Sequence, residues 1–148
     1  MLDGIINIYK EKGYTSHDVV AKLRRITGQK KIGHTGTLDP DAEGVLPVCL
    51  GKATKLCEYI TDKDKEYIAR VKLGVTTDTL DMSGNILSES KFTGNLSDIE
   101  KACESFSGDI MQIPPMYSAI KVGGKKLYEL ARNNIEIDRK PRAVHIYD

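Results

Sequence analysis

The sequence predicts an α+β domain in which a mixed, largely antiparallel sheet is flanked by helices. Short apolar runs typical of strands are interspersed with segments whose apolar residues recur at helical spacing. They lack the strict strand–helix–strand alternation that a doubly wound parallel sheet requires. With 148 residues, of which 40% are apolar and 29% charged, the chain is long enough for about one domain with its own hydrophobic core.

The chain is predicted to begin with a strand and a helix. Residues 4–9 form an isoleucine-rich run that is typical of a buried strand. Thr15 or Ser16 is expected to cap the helix that follows, because Asp18 stands three residues after Thr15, as in a capping box. Gly28 ends this helix, since glycine readily adopts the left-handed conformation found just past a helix end.

The middle of the chain is predicted to hold two further strands. Residues 45–50 form the first of them, in which Pro47 favours an edge or irregular position because proline has no N–H to donate. Residues 52–60 are weakly helical in pattern. Residues 65–73 alternate between apolar and polar side chains, which predicts a strand with Tyr67 on its apolar face.

The remainder of the chain alternates between loops and short regular elements. Residues 74–85 are predicted to be a polar loop, and Ser97 with Glu100 is predicted to open a capped helix that runs to Phe106. Residues 141–148 are predicted to form the last strand.

The segment 108–134 has an unusual composition. Two prolines at 114–115 exclude a regular helix there. Two glycines at 123–124 indicate a hairpin turn, and residues 125–132 are then expected to form a short helix.

Several protein classes are disfavoured by composition. No run of roughly 18 apolar residues is present, so no transmembrane helix is expected, and the first residues lack the pattern of a signal peptide. The three cysteines are odd in number and form no CxxC pair, which favours free thiols in a reducing compartment. The three histidines are too far apart to indicate a metal site. A cytoplasmic protein that needs no metal is the expectation.

The net charge of +1 conceals an uneven distribution. Residues 1–35 contain seven basic and three acidic side chains, residues 36–105 contain eight basic and thirteen acidic ones, and residues 106–148 contain seven basic and five acidic ones. Two basic ends around an acidic middle are compatible with a divided phosphate-binding surface. They are also compatible with solvated faces that bind nothing, and charge alone favours this simpler interpretation.

One loop contains the clearest candidates for chemistry. Asp39 and Asp41 flank Pro40 in the segment 33–44, GHTGTLDPDAEG. Such a pair can hold Mg²⁺ or provide an aspartyl nucleophile, as in a phosphotransferase. It can also be an ordinary Asp-Pro turn whose carboxylate accepts local backbone hydrogen bonds. The extended conformation imposed by Pro40 and the small residues nearby favour an acid presented to a ligand.

Two further side chains have open roles at this stage. Tyr67 is either a half-buried core tyrosine with a solvated hydroxyl or a platform on which a base stacks. His34 is a turn donor, a general base or a stacking ring. Local sequence decides neither case.

Four ordered segments resemble the TruB family of pseudouridine synthases, which modify the T-arm uridine of tRNA. They cover nearly the whole chain, and GHTGTLDP is the most specific motif within them. The segments are GYTSHDVVAKLRR (13–25), GHTGTLDPDAEGVLPVCLGKATK (33–55), DKDKEYIARVKLG (62–74) and IPPMYSAIKVGGKKLYELAR (113–132). The resemblance implies a pseudouridine-synthase-like fold.

The resemblance also implies roles for individual residues. Asp39 corresponds to the catalytic aspartate of the family, Tyr67 to the tyrosine that stacks on the target uracil, and His34 to the histidine beside the flipped nucleotide. Residues of about 108–134 correspond to an inserted thumb that closes over the T-loop. Its side chains available to phosphates are Lys121, Lys125, Lys126 and Arg132.

The implied function is an RNA-modifying isomerase that converts the uridine at position 55 of tRNA to pseudouridine without metal or cofactor. The implied partner is the T-arm stem-loop, with no membrane and no protein partner. The alternative is a non-catalytic module that binds or folds tRNA. In the family, a second half of the catalytic domain brings a tyrosine–arginine pair to the aspartate, and an RNA-binding domain follows. Residues 1–148 are therefore expected to be an amino-terminal part that is weak or inactive alone.

Overall fold

The computed structural model describes all 148 residues, in two compact units, Met1–Ile68 and Ala69–Asp148. The first unit contains β1 (Gly4–Lys10), α1 (Ser16–Thr27), β2 (Ile32–His34), β3 (Gly44–Leu50), a 3₁₀ helix (Gly51–Leu56) and α2 (Cys57–Thr61). The second contains β4 (Val75–Thr77), β5 (Ile86–Glu89), α3 (Leu96–Glu104), β6 (Gly108–Gln112), β7 (Lys121–Val122), β8 (Lys125–Lys126), α4 (Leu127–Ala131) and β9 (Arg142–Ile146). The predicted α+β class is confirmed.

The first unit is built on an antiparallel sheet in the order β1-β3-β2. The predicted strand at 45–50 is therefore central, although it contains Pro47. The Pro47 carbonyl accepts hydrogen bonds from the backbone N–H of Thr35 at 3.1 Å and from the Thr35 hydroxyl at 3.2 Å. Because the nitrogen and carbonyl of a strand residue face the same side, the nitrogen of Pro47 faces the side where β2 has already ended, at His34. The proline thus removes no bond of the sheet.

Helix α1 begins as its sequence predicts. The Thr15 hydroxyl accepts a hydrogen bond from the Asp18 backbone N–H at 3.0 Å, and the Asp18 carboxylate accepts one from the Thr15 N–H at 2.9 Å. Hydrogen bonds from Thr15 lower the pKa of Asp18 below its usual value. Gly28 ends the helix in the left-handed conformation, with φ of 65°.

The core of the first unit lies between α1 and the sheet. Its fully buried members come from α1 and from β2 and β3, and half-buried side chains of β1 and the loop after β2 pack against them. The buried members are Val19, Val20, Ile32, Leu46, Val48 and Leu50. This packing joins the loop before β3 to a rigid framework, since Leu38 is one of the side chains packed against the core.

The second unit consists of three two-stranded antiparallel ribbons, β4-β5, β6-β9 and β7-β8, with α3 and α4. The glycines at 123–124 form the tight turn between β7 and β8, as predicted. Helix α4 buries Leu127 and Leu130 and covers only part of the predicted helical range 125–132. None of the chain's helices combines the length and apolar character that a membrane span needs.

The strand predicted at 65–73 is wrong. Residues 64–72 form no regular structure and pair with no other strand. The apolar side chains of this stretch are largely exposed, with Tyr67 at 71%, Ile68 at 99% and Val71 at 74%. An alternating pattern specifies a strand only where a neighbouring strand accepts its backbone hydrogen bonds, and no neighbour is present here.

The predicted start of α3 also requires correction, because Ser97 and Glu100 do not cap it. Asn95 accepts the backbone N–H of Asp98 at 3.2 Å, and the Asp98 carboxylate accepts the Asn95 N–H at 2.9 Å. Asparagine is as good a cap as serine and adopts the extended conformation here. The helix begins two residues before the sequence motif suggested and ends at Glu104 rather than Phe106.

Candidate functional site

The loop between β2 and β3 carries Asp39 and is anchored to the start of α1. The buried Ser16 hydroxyl accepts a hydrogen bond from the Leu38 backbone N–H at 2.9 Å and lies 3.3 Å from the Leu38 carbonyl, to which it donates. Because Leu38 directly precedes Asp39, these two bonds fix the backbone on one side of the aspartate.

A second contact fixes the other side of Asp39. The Gly13 N–H donates to the Pro40 carbonyl at 2.7 Å, across the loop that follows β1. A tight turn follows, in which the Ala42 N–H donates to the Asp39 carbonyl at 3.1 Å. The backbone of Asp39 is thus held on both sides by residues at the entrance to α1.

The Asp39 carboxylate itself is exposed and makes no hydrogen bond or ion pair. The carboxylate of an ordinary Asp-Pro turn would accept N–H groups of its own turn. Its neighbour behaves differently, since Asp41 lies 3.5 Å from the ammonium group of Lys12, with both side chains about 70% exposed. The structure therefore separates the two acids into one that is paired and one that is presented without a partner.

His34 is the last residue of β2 and lies opposite Val48 of β3. The ring is half-buried, and its Nδ1 atom is buried without a hydrogen-bond partner. A buried ring nitrogen without a partner is uncommon in folded proteins. Its position at the start of the Asp39 loop means that whatever contacts this ring also approaches the loop.

Tyr67 is not brought to this loop by any described contact. It lies in the irregular stretch after α2, is 71% exposed, and makes no ring contact with His34 and no hydrogen bond to Asp39. An exposed tyrosine is available for stacking on another ring, but here its orientation is set by no neighbour.

The three lysines predicted to contact phosphates lie together on the β7-β8 hairpin, where Lys121 pairs with Lys126 and Val122 with Lys125. Lys121 and Lys125 are exposed. Lys126 differs, because its ammonium group donates to the Tyr128 hydroxyl at 3.3 Å and lies 5.3 Å from the centre of that ring. Two of the three cations are thus without an intramolecular partner.

The role of Ser16 was not found by sequence reasoning. In the sequence, Thr15 and Ser16 predict only a choice between two helix caps. In the structure Thr15 caps the helix, which leaves the Ser16 hydroxyl for the loop 22 residues later. Two adjacent hydroxyl residues at a helix start were the available signal, since only one of them is needed for the cap.

These features define the class of protein as an α+β domain that presents an unpaired acid on a loop anchored at both ends. A family model described as "TruB family pseudouridylate synthase (N terminal domain)" matches residues 24–148. The chain belongs to this family.

Curated relatives are similar over almost the whole chain. A "tRNA pseudouridine synthase B" of Clostridium novyi (strain NT) is 56% identical over 147 residues, which is 99% of this chain and 51% of the relative. That of Bacillus pumilus (strain SAFR-032) is 52% identical over 149 residues, 99% of this chain and 48% of the relative. The chain thus spans about half the length of the curated relatives it matches.

One solved structure supports the fold assignment. A chain in a crystal structure of a Cbf5-Nop10-Gar1 complex is 28% identical, with a TM-score of 0.61, over 98% of this chain and 34% of that chain.

Proposed function

We propose that the chain is the amino-terminal part of the catalytic domain of a tRNA pseudouridine synthase that converts the uridine at position 55 in the T-loop. Asp39 is the catalytic residue. The observation that carries the proposal is the exposed, unpaired Asp39 carboxylate on a loop held at both ends. The proposal is also supported by the curated relatives that match the same residues, which are named tRNA pseudouridine synthase B.

The chemistry suits a lone carboxylate. In the isomerisation, the bond between N1 of uracil and the sugar breaks, and a bond from C5 to the same sugar carbon forms. C5 loses a proton and N1 gains one, so no oxidant, reductant or other co-reactant is needed. A carboxylate can attack the sugar carbon or the ring, or abstract a sugar proton, and each of these routes needs an oxygen free of other partners. Both oxygens of Asp39 meet this requirement, whereas one oxygen of Asp41 is paired with the Lys12 ammonium group at 3.5 Å.

The target base must leave its stack before Asp39 can reach the sugar. Extrusion costs a few kcal/mol, and stacking on an aromatic ring returns about 1–3 kcal/mol. We assign the stacking role to Tyr67, whose ring is 71% exposed, and contact with the extruded nucleotide to His34. A flexible approach of Tyr67 to the base is required, because no neighbour fixes this ring.

The segment of about 108–134 is assigned to a thumb that closes on the T-arm. Lys121 and Lys125 offer unpaired ammonium groups for phosphates, and Lys126 joins them if it leaves Tyr128. Replacing Lys125 by Gln should lower the salt dependence of RNA affinity by about one counterion. The change for Lys126 should be smaller. An unchanged slope for all three lysines contradicts the thumb assignment.

The decisive experiment measures pseudouridine in a T-arm stem-loop RNA. It compares the polypeptide extended to the length of its relatives with its Asp39→Asn form and with Asp41→Asn as the matched control. Asp39→Asn should abolish product while RNA affinity is preserved, and Asp41→Asn should retain most of the activity, because it removes only an exposed ion pair. Equal activity of both variants would refute the assignment of Asp39.

The same variants address the alternative, a module that binds or folds tRNA without chemistry. If the alternative is correct, the protein binds RNA but forms no pseudouridine, even when the Asp39-intact polypeptide is extended to the length of its relatives. An aspartyl phosphotransferase using Asp39 and Asp41 predicts strict dependence on Mg²⁺, and full activity in EDTA excludes it.

We also propose that the 148 residues alone turn over weakly. No lysine or arginine lies within ion-pair distance of the Asp39 carboxylate. A cation beside a catalytic carboxylate keeps it ionised and oriented. Activity of the 148 residues equal to that of a full-length relative would contradict this proposal.

A further inference from the structure

A groove in the first unit lies between α1, β2 and the short helices after β3, and we call it the α1–β2 groove. It is a shallow groove open to solvent, with a volume of about 500 Å³. The residues that line it are His17, Val20, Arg24, Lys30, Lys31, Ile32, Gly33, His34, Thr54 and Cys57. The mechanism proposed above uses only one of them, His34.

The charge of the α1–β2 groove is entirely of one sign. Three lining side chains, Arg24, Lys30 and Lys31, are permanently cationic, two more are histidines, and none is acidic. None of the three is part of an ion pair. Cations gathered around a concave surface concentrate a positive potential there, because the protein wall focuses the field. The groove is therefore suited to an anion.

The cations stand on a fixed backbone. The Arg24 guanidinium donates to the Ile32 carbonyl at 3.3 Å, which ties α1 to β2 across the groove. The Lys31 carbonyl accepts the Gly51 N–H at 2.8 Å. Consequently, little backbone ordering is needed when an anion binds, and preorganisation of this kind favours affinity.

The base of the groove is apolar and open. Val20 and Ile32 are buried beneath it, at 1% and 5% exposure. At Gly33, β2 packs closely against the helices after β3, since a Cβ there would lie 3.3 Å from the Cys57 sulfur and 3.9 Å from the Thr54 methyl. As a water molecule takes about 30 Å³ of liquid, the groove has room for a phosphate group with several waters.

We propose that the α1–β2 groove binds a backbone phosphate of the RNA, beside the nucleotide that reaches Asp39. This inference rests on the proposed function. His34 links the two places, because it lines the groove and directly precedes the Asp39 loop. Lys30 and Lys31 act as mobile point charges on the phosphate, and Arg24 provides a guanidinium of fixed position.

A simpler role for the same cations is structural. Basic side chains after a helix C-terminus interact favourably with its partial negative charge. In that case their removal lowers the melting temperature and leaves RNA affinity unchanged. The test must therefore measure both quantities.

The experiment replaces Lys30 and Lys31 by Gln, singly and together, in the polypeptide extended to the length of its relatives. The matched control is Arg25→Gln, which removes one exposed charge from the same end of α1 but outside the groove. Affinity for a T-arm stem-loop RNA is measured at several salt concentrations. Each groove variant should weaken binding about tenfold, as expected for a lost charged hydrogen bond. The slope of log affinity against log salt should fall by about 0.7–0.9 per residue.

Slopes of the groove variants equal to that of Arg25→Gln would overturn the proposal, as would a lower melting temperature with unchanged affinity. A second arm titrates inorganic phosphate and follows the His34 ring by NMR. The groove should take phosphate, and the RNA should displace it. If phosphate shifts the His34 signal but the RNA does not compete, the groove takes a free anion only and the proposal is wrong.

The phosphate site in the α1–β2 groove and the proposed isomerase activity can be refuted independently. Product formation by the unmodified protein with unchanged slopes refutes the groove and leaves the isomerase intact. Reduced slopes in a protein that forms no pseudouridine refute the isomerase and leave the phosphate site intact.

Discussion

Replacing Ser16 by Ala tests whether the entrance of α1 positions the Asp39 loop, to which we assign the catalytic residue. The side chain is 3% exposed, and its hydroxyl both accepts from the Leu38 N–H at 2.9 Å and donates to the Leu38 carbonyl at 3.3 Å. Alanine keeps the volume of the side chain, apart from the oxygen, and removes both bonds. The change therefore affects the loop through hydrogen bonding and leaves the packing almost unaltered.

The expected loss of stability follows from the partner left behind. An unsatisfied buried donor costs about 1–3 kcal/mol. Leu38 is half-buried, so water can partly replace the hydroxyl, and the lower half of that range, about 1–2 kcal/mol, is expected. The effect on turnover is larger than this energy suggests, because misplacing a reacting group by about 1 Å can lower the rate roughly 100-fold.

The assay combines urea unfolding with single-turnover pseudouridine formation at saturating RNA. Thr15→Ala is the matched control, since it removes the cap of the same helix, whose bond to the Asp18 N–H is 3.0 Å long, and should cost about 1 kcal/mol. It leaves both bonds to Leu38 in place. Ser16→Ala should lower the single-turnover rate 10- to 100-fold with little change in RNA affinity, and Thr15→Ala should leave the rate nearly unchanged.

Two results would refute this reasoning. If both variants lower the rate equally, the effect is one of general stability and Ser16 has no positioning role. If Ser16→Ala loses 1–2 kcal/mol but keeps the full rate, the bonds to Leu38 support the fold and not the site.

Three further predictions concern stability and reactivity. Lys10→Met should lower the free energy of unfolding, measured in urea, by about 1–3 kcal/mol. The Lys10 side chain is fully buried, and its ammonium group donates to the Tyr14 carbonyl at 2.7 Å and to the Glu11 carbonyl at 3.2 Å. The control Lys12→Met should change little, because Lys12 forms only an exposed ion pair. Burial raises the pKa of the Cys49 thiol to about 11, so at pH 8 iodoacetamide should label the exposed Cys103 and spare Cys49 until the chain unfolds. Asn95→Ala removes the N-cap of α3 and should lower the free energy of unfolding by about 1 kcal/mol. The helical signal in circular dichroism should fall as α3 shortens.

The same pKa shift has a consequence for stability at high pH. The thiol of the unfolded chain ionises near its ordinary value of 9.0, and that of the folded chain near 11. Below pH 9 both states keep the proton, so the thiol adds no pH dependence. Between pH 9 and 11 only the unfolded state loses its proton, and the free energy of unfolding should fall. The Cys49→Ser variant should lack this part of the decline.

The first unit could be predicted well from sequence because its signals are local and strong. The isoleucine run of β1, the capping box at Thr15 and the terminal glycine at 28 each specify an element through neighbours within four residues. Pro47 shows where such reasoning stops. Proline lacks an N–H, so Pro47 cannot donate to the strand on one of its two sides. That side faces β2, and no sheet bond is lost because β2 ends at His34, which the sequence does not reveal.

The errors share a physical cause. The alternating pattern of 65–73 states which face is apolar but not whether a partner strand is at hand. At α3, Asn95 and Asp98 compete with Ser97 and Glu100 for the same helix start, and both pairs satisfy the capping rule. Packing and backbone pairing decide such cases, and neither can be read from one short window.

At the candidate site, the sequence shows two separate motifs, and only the structure shows that they are in contact. Residues 13–25 and 33–55 are joined by backbone and hydroxyl bonds, from Gly13 to Pro40 and from Ser16 to Leu38. The first motif therefore does more than start a helix. It holds the backbone on both sides of Asp39, while the carboxylate itself remains without a partner. The catalytic role proposed for Asp39 needs a fixed backbone and a free carboxylate at once, and bonds made by its neighbours, not by its own side chain, supply the fixed backbone.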